Sequence, residues 1–304
     1  MKHLLLIFYI LISLNSIAAE PIVLNPSYQH DRWVAKPRDV IKEFRAFTAS
    51  MDSLENDDNF GEGEAFGTPE WVAYQIKSYS KSCIPTKPRP EWKSEEKFVE
   101  GKIAPTDASY KYSRAFRKSY KDWYERGHLQ MKLIAERMGH DAAANTHTFL
   151  NAVPQRATFN KGIWLDLEYI TSAWADKYGS VWVITGPIYV NEKPSGYIGE
   201  DDEFKVGIPD ALFKIVVKEG EDSKAPDVLA FIYPQVAAGY FSKNYDHTRF
   251  LTTIDEVELL TGLDFLTIIE DDIEKSIEAS PSEVLWEYDK SAIVRACPNN
   301  EEPR

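Results

Sequence analysis

At 304 residues, with 43% hydrophobic and 13% aromatic side chains, the chain has enough apolar mass for a large buried core, which excludes a compositionally disordered protein and favours one large domain. Its 35 basic and 48 acidic side chains leave a formal net charge of −13, so attraction of a polyanion by bulk charge is excluded and would have to come from a local cationic surface.

The first residues, MKHLLLIFYILISLNSIAAE, place Lys2 before an apolar run from Leu4 to Leu14 and the small Ala18 and Ala19 before Glu20. This predicts a secretory signal peptide over 1–19, since the run is shorter than the roughly 20 residues of a spanning helix. The mature protein is then expected outside the cytoplasm, secreted or periplasmic, with no membrane attachment. Residues 20–68 read as an irregular lead-in with a helical patch near Val40 to Phe47. The main domain is expected over 69–269, opening with WVAYQI (Trp71 to Ile76) as its first core strand. Prolines at 85, 88 and 90 then predict an extended loop displaying Lys87, Arg89 and Lys93.

From Lys111 to Arg137 eight basic residues (Lys111, Arg114, Arg117, Lys118, Lys121, Arg126, Lys132, Arg137) face three acidic ones, with Tyr and Trp interleaved. A solvated amphipathic face and an anion-binding surface both fit this pattern; the acidic remainder of the molecule favours the second. HTFLNAVPQ (His147 to Gln155) predicts a strand that turns at Pro154. Apolar positions Ile163, Leu167, Ile170 and Trp174 predict a helix over 160–179, and VWVITGPIYV a buried strand broken at Gly186-Pro187. LFKIVVK and VLAFIYP supply two more strands, and Thr253 with Glu256 forms a capping box ahead of a helix ending at Gly262. Residues 270–304 form an acidic C-terminal extension. Cys83 and Cys297, the two cysteines of the chain, are expected to pair in an exported protein and tie that extension back.

The stretch YERGHLQMKL puts His128 behind Arg126-Gly127. Asn160, Trp164 and Glu168 follow at intervals of four, the spacing that aligns side chains along one side of a helix. A neutral amide oxygen and a carboxylate are hard ligands suited to Mg²⁺, directly or through water. A histidine with an ordinary pKa of about 6.5 can take a proton from water near neutral pH. A base, a hard cation and nearby arginine are what phosphodiester hydrolysis requires: one activates water, the others neutralise charge on the phosphate and the leaving oxygen.

The residues ERGH (125–128), NAVPQ (151–155) and NKGIWLDLE (160–168) resemble the D-R-G-H, N-x-x-P-Q and N-x-x-x-W-x-x-L-E motifs of the DNA/RNA non-specific endonucleases, the ββα-metal nucleases. The likeness extends through WVAYQI, VITGPIY, LFKIVV, FIYPQ and IDEVELLTGLDF. It implies an α+β fold with a central antiparallel sheet flanked by helices and a ββα-metal active-site motif. It also implies a Mg²⁺-dependent enzyme, with Mn²⁺ as a substitute, cutting DNA and RNA to leave 5′-phosphate ends.

Carried over by position, the resemblance makes His128 the general base, Asn160 the direct metal ligand and Glu168 a ligand through water. Asn151 would orient His128 or bind near the phosphate, and Arg89 or Arg126 would contact the phosphate. Two departures stand out: Glu125 in place of Asp, and Ser172 where some members carry an arginine whose role Arg156 or Lys161 could assume. His140 and His147 match no motif position and read as structural. Oligomeric state is left open, a homodimer being one option. The competing readings are a nucleic-acid-binding member without turnover and a phosphodiesterase acting on small diesters.

Overall fold

A computed structural model of the protein describes residues 27–33, 40–52, 66–78, 85–110, 123–190, 193–220, 225–241, 244–295 and 297. The expected signal peptide, residues 111–122 of the basic stretch and Cys83 lie outside these residues. The strands are β1 (Val40–Glu43), β2 (Thr48–Met51), β3 (Pro69–Lys77), β4 (Tyr124–His128), β5 (Ala152–Arg156), β6 (Ser180–Ile188), β7 (Tyr197–Ile198), β8 (Val206–Gly207), β9 (Ala211–Lys218), β10 (Asp227–Pro234) and β11 (Leu251–Thr252). The helices are α1 (Glu96–Glu100), α2 (Lys132–Ala135), α3 (His140–Asn145), α4 (Leu165–Tyr178), α5 (Ile254–Thr261) and α6 (Asp271–Glu278).

Seven strands form one antiparallel sheet in the order β1-β2-β3-β6-β9-β10-β11, while β4 and β5 make a separate two-stranded ribbon. Alternation along the central strands divides the core into two layers. Val72, Tyr74 and Ile76 of β3, with Val181 and Val183 of β6 and Leu212 and Val216 of β9, pack against α4 through Leu167, Ile170 and Trp174. Trp71, Ala73, Trp182, Ile184, Phe213 and Ile215 point the other way, toward Ile254 and Val257 of α5 and toward Phe265. The result is an α+β architecture, a central antiparallel sheet covered by helices on both faces.

Four expectations change. Val40 to Phe47 is not helical: VIKE and TASM form a hairpin that extends the sheet, with Phe44 and Phe47 stacked at its turn, their centroids 4.6 Å apart. Its apolar residues lie close enough in sequence to fit either period. Strand β6 runs unbroken through Gly186-Pro187 because its β3 partner stops at Thr185, so the missing Pro187 N–H costs no ladder bond on that side. Gly186 is required there, since a Cβ would meet the Glu70 carbonyl oxygen at 2.1 Å. Likewise Pro154 sits inside β5, opposite Arg126, which a two-stranded ribbon tolerates.

The fourth change is at 160–179. The helix begins as a single turn at Ala157–Phe159, passes through a π-helical segment at Asn160–Trp164 with Gly162 at φ −105°, ψ −115°, and becomes α-helical only in α4. Gly162 lies under Tyr245, whose Oη would be 2.9 Å from an added Cβ. Asn160, Trp164 and Glu168 are therefore not spaced along a uniform helix. Asn160 stays half-exposed while Trp164 and Glu168 are buried.

Residues 271–278 form α6, and the following segment lays Trp286 against Trp174, whose Nε1–H donates to the Trp286 carbonyl at 2.9 Å. The capping box at α5 forms as expected: the Glu256 N–H donates to Thr253 Oγ1 at 3.0 Å, and Gly262 closes the helix at φ 67°.

Candidate active site

Strand β4 presents functional side chains on alternate faces. Arg126 and His128 lie on the side of Trp92, whose ring centroid is 4.8 Å from that of His128 and 5.6 Å from the Arg126 guanidinium carbon. Glu125 faces the start of the π-helical turn. Gly127 between them leaves room for Gln155 across the ribbon, since a Cβ would fall 2.1 Å from its Oε1. Gln155, the last residue of NAVPQ, is fully buried with neither side-chain polar atom bonded.

His128 holds an unpartnered, buried Nε2. Burial pushes its pKa well below the usual value, and His147, Arg89 and Lys132 nearby add to the effect. A base must be neutral to accept a proton, and this setting keeps it so. His147, expected to be structural, is part of the same cluster. Its ring stands edge-on to His128 at 4.8 Å, and Arg89 Nε–H donates to its Nε2 at 3.2 Å. That bond makes Nε2 an acceptor and leaves Nδ1 facing Thr146 Oγ1 at 3.2 Å, the pattern of a neutral ring. Burial and the Arg89 cation hold the His147 pKa down at about 4.

Arg89 is exposed, and no carboxylate among the described residues pairs with it. Arg126 is different: it pairs with Asp107 at 2.5 Å, so it is the weaker candidate for a phosphate contact. Lys132 is tied to Glu136, and Arg137 forks onto Asp176 at 2.8 and 3.0 Å. The described part of the basic stretch is therefore largely neutralised in place, contrary to the expected open cationic track. Arg137 also donates to Ser172, so a cation from another element fills the position where some family members carry arginine, but it is only 8% exposed. Both expected substitutes already have partners. Lys161 pairs with Glu125, and Arg156 lies over Tyr124 with its guanidinium carbon 5.5 Å from the ring centroid.

Asn151 does not orient His128 directly. Its Oδ1 accepts the Gln130 N–H at 2.8 Å, and its Nδ2 donates to the carbonyls of Gln130 and Thr146, both at 3.0 Å. A fully buried amide saturated by backbone clamps the chain just past His128 to the residue before His147, which makes it a positioning residue.

Around Asn160 the arrangement is explicit. Glu125 Oε2 accepts from Asn160 Nδ2 at 3.0 Å, while Glu125 Oε1 receives Trp123 Nε1–H at 3.2 Å and the Lys161 ammonium. The longer side chain thus still reaches its support position. Holding Nδ2 fixes the amide so that Oδ1 remains for a cation. Glu168 is 5% exposed, and its Oε1 has no hydrogen-bond partner. Burial raises its pKa, opposed by Lys214, a fully buried lysine of β9 whose own pKa burial lowers. Lys214 Nζ stands 4.1 Å from the Trp164 ring centroid. An oriented amide oxygen and an orphaned buried carboxylate oxygen are the donor set a hydrated hard cation takes, so these residues fit one.

These residues make pH dependence a direct readout. As the expected general base, His128 would work in its neutral form, so lowering pH would stop the reaction only where the proton binds. The acid limb of kcat/KM is expected below the ordinary histidine value of about 6.5. Removing a nearby cation in Arg89→Gln is expected to move that limb upward; an unmoved limb already at 6.5 in the native protein would show that the cluster does not hold His128 neutral.

A family model described as DNA/RNA non-specific endonuclease matches residues 63–272. "Nuclease 1, mitochondrial" of Schizosaccharomyces pombe is 29% identical over 153 residues, 47% of this chain and 46% of the relative, so the match spans about half of that protein. The nuclease of Serratia marcescens is 27% identical over 214 residues, 69% of this chain and 73% of the relative. Among solved structures, EndoG in the EndoG/EndoGI complex superposes with a TM-score of 0.61 over 76% of this chain and 87% of that one, at 21% identity, which shows a shared fold. With β4, β5 and the Asn160-bearing helix in the ββα arrangement and the family model covering more than half of the sequence, the chain belongs to the DNA/RNA non-specific endonuclease family.

Proposed function

We propose that the protein is a Mg²⁺-dependent endonuclease that hydrolyses phosphodiester bonds of DNA and RNA, with His128 as general base. The observation that carries this reading is a half-buried His128 whose Nε2 is buried and unpartnered, in a cluster with the exposed Arg89 and on the same strand as the Glu125 that fixes Asn160.

In this reading the His128 imidazole takes a proton from water as its oxygen attacks phosphorus. Arg89 stays on His147 through Nε and offers the rest of its guanidinium to the phosphate oxygens. Asn151 holds the backbone that carries both histidines. A cation would be held by Asn160 Oδ1 and Glu168, and when bound would supply neutralisation of charge on the phosphate and the leaving oxygen. Rupture of the bond to the 3′ oxygen leaves a 5′-phosphate on one fragment and a 3′-hydroxyl on the other, the departing oxygen taking its proton from solvent. Mn²⁺, equally suited to oxygen ligands, is expected to substitute.

The N-terminal signal pattern supports export, and the cysteine pattern supports a Cys83–Cys297 bridge fastening residues 270–304 to a nuclease domain over 69–269. The test is digestion of supercoiled plasmid and of a long RNA by the purified protein, with Mg²⁺ and with EDTA. Both substrates are expected to be cut to short fragments only with the metal present. Salt-sensitive binding that leaves them intact would instead establish a binding protein without turnover, and cleavage confined to small chromogenic diesters would establish a phosphodiesterase.

A further inference from the structure

The sheet face opposite His128 carries a second concentration of chemistry. From Thr252 to Glu278 the sequence has nine acidic residues against the single Lys275, so the segment cannot neutralise itself. Helices α5 and α6 bring five of the carboxylates together. One oxygen each from Asp255, Glu258 and Glu278 lie within 4.8 Å of one another, and so do oxygens from Asp264, Glu274 and Glu278. Calcium–oxygen distances are about 2.3–2.6 Å, so oxygens on opposite sides of one ion are about 4.6–5.2 Å apart. Each triplet therefore fits a single coordination sphere as it stands.

A second observation comes from Glu278, which belongs to both triplets. It is only 7% exposed, ends α6, and its Oε1 has no hydrogen-bond partner. A carboxylate withdrawn from water normally finds a donor or a cation. Here its neighbours are other carboxylates, and among the described residues no lysine or arginine pairs with Asp255, Glu258, Asp264 or Glu278. Glu258 is held in place by the Phe265 N–H, which donates to its Oε1 at 2.8 Å. We propose that Asp255, Glu258, Asp264, Glu274 and Glu278 form a binding site for one hard divalent cation, Ca²⁺ in preference to Mg²⁺. An all-carboxylate cage with several oxygens suits calcium, whereas Mg²⁺ keeps most of its water. The ion would fasten α5 to α6 on the face of the sheet away from the nuclease site, and so act on stability rather than on the reaction.

The experiment is calorimetric titration of EDTA-stripped, full-length protein carrying Asn160→Ala, which removes the proposed direct ligand at the other site, together with thermal melts. One Ca²⁺ per chain is expected, with Kd on the order of 10⁻⁴–10⁻³ M, and about 10 mM Ca²⁺ should raise Tm by about 3–8 °C. Adding Glu278→Gln, or the exposed Asp255→Asn should the first variant fold poorly, is expected to weaken binding at least tenfold and remove the shift. In the otherwise native chain either change should leave Mg²⁺-dependent cleavage intact. Absence of Ca²⁺ binding, binding unaltered by both substitutions, or equal affinity for Mg²⁺ would each overturn the proposal.

Discussion

His128→Ala is expected to lower kcat on plasmid DNA by about 10²–10⁴-fold, the range supplied by a positioned general base, while the protein stays folded. That loss corresponds to about 2.7–5.4 kcal/mol of transition-state stabilisation. The fold should survive because His128 sits on a two-stranded ribbon held by other groups: Asn151 clamps the chain just past it, and Gln235 braces β5 by donating to the Pro154 carbonyl at 2.7 Å and accepting the Arg156 N–H at 3.0 Å. His128→Gln fills more of the space beside Trp92 but cannot replace the imidazole as a base, so it should be as inactive as the alanine variant. His147→Gln should retain more activity, because it alters how Arg89 is held and what packs beside His128 but leaves the base in place. The decisive measurement is kcat under saturating Mg²⁺, with circular dichroism to confirm the fold. Activity of His128→Ala within a few-fold of native would remove His128 from the reaction.

Much of this was legible in the sequence where local pattern and final environment agree. β3, β9 and β10 are apolar runs that become interior strands, and α5 declares itself through Thr253, Glu256 and Gly262. The motif residues on β4 and the Asn160 helix could be placed because their spacing is tied to one chemistry. What escaped depends on partners remote in sequence. The hairpin of β1 and β2 is a strand pair only because a sheet edge is there to receive it, and two prolines sit inside strands because the β3 pairing ends before Pro187 and the ribbon of Pro154 has only two strands. His147 joins the site through Arg89, 58 residues away. Lys214 was visible as a cation between Phe213 and Ile215 in LFKIVVK, yet nothing local says that Trp164 and Glu168 lie against it. At Arg126 and Arg137, in the described part of the basic stretch, the charge balance counted no distant acids: Asp107 and Asp176 stand beside them only in the folded chain.

The second large effect is expected at Asn160 and the residue that holds it. Asn160→Ala removes the proposed direct ligand, so activity should fall by more than the roughly 10–100-fold typical of outer-shell losses, and added Mg²⁺ should not restore it. Glu125→Gln should fall within that 10–100-fold range and respond to Mg²⁺, because the ligand remains but its orientation is no longer fixed by charge. The geometry separates the two cases. Glu125 uses one oxygen for Asn160 Nδ2 and the other for Trp123 and Lys161, so the amide variant leaves Lys161 unpaired and can present an N–H where an acceptor is needed. Glu125→Asp restores the residue that the resembling motif carries but shortens the reach by one methylene. With the backbone of β4 fixed against β5, an aspartate can keep one of these two sets of contacts but not both. It should therefore lose less activity than Glu125→Gln, and its Mg²⁺ dependence should report which contact it keeps. A near-native Mg²⁺ titration would mean that Asn160 is still held, whereas a weakened one would mean that the carboxylate has gone to Trp123 and Lys161. If Glu125→Gln left both kcat and the Mg²⁺ titration unchanged, the bond to Asn160 would be packing rather than part of the metal site.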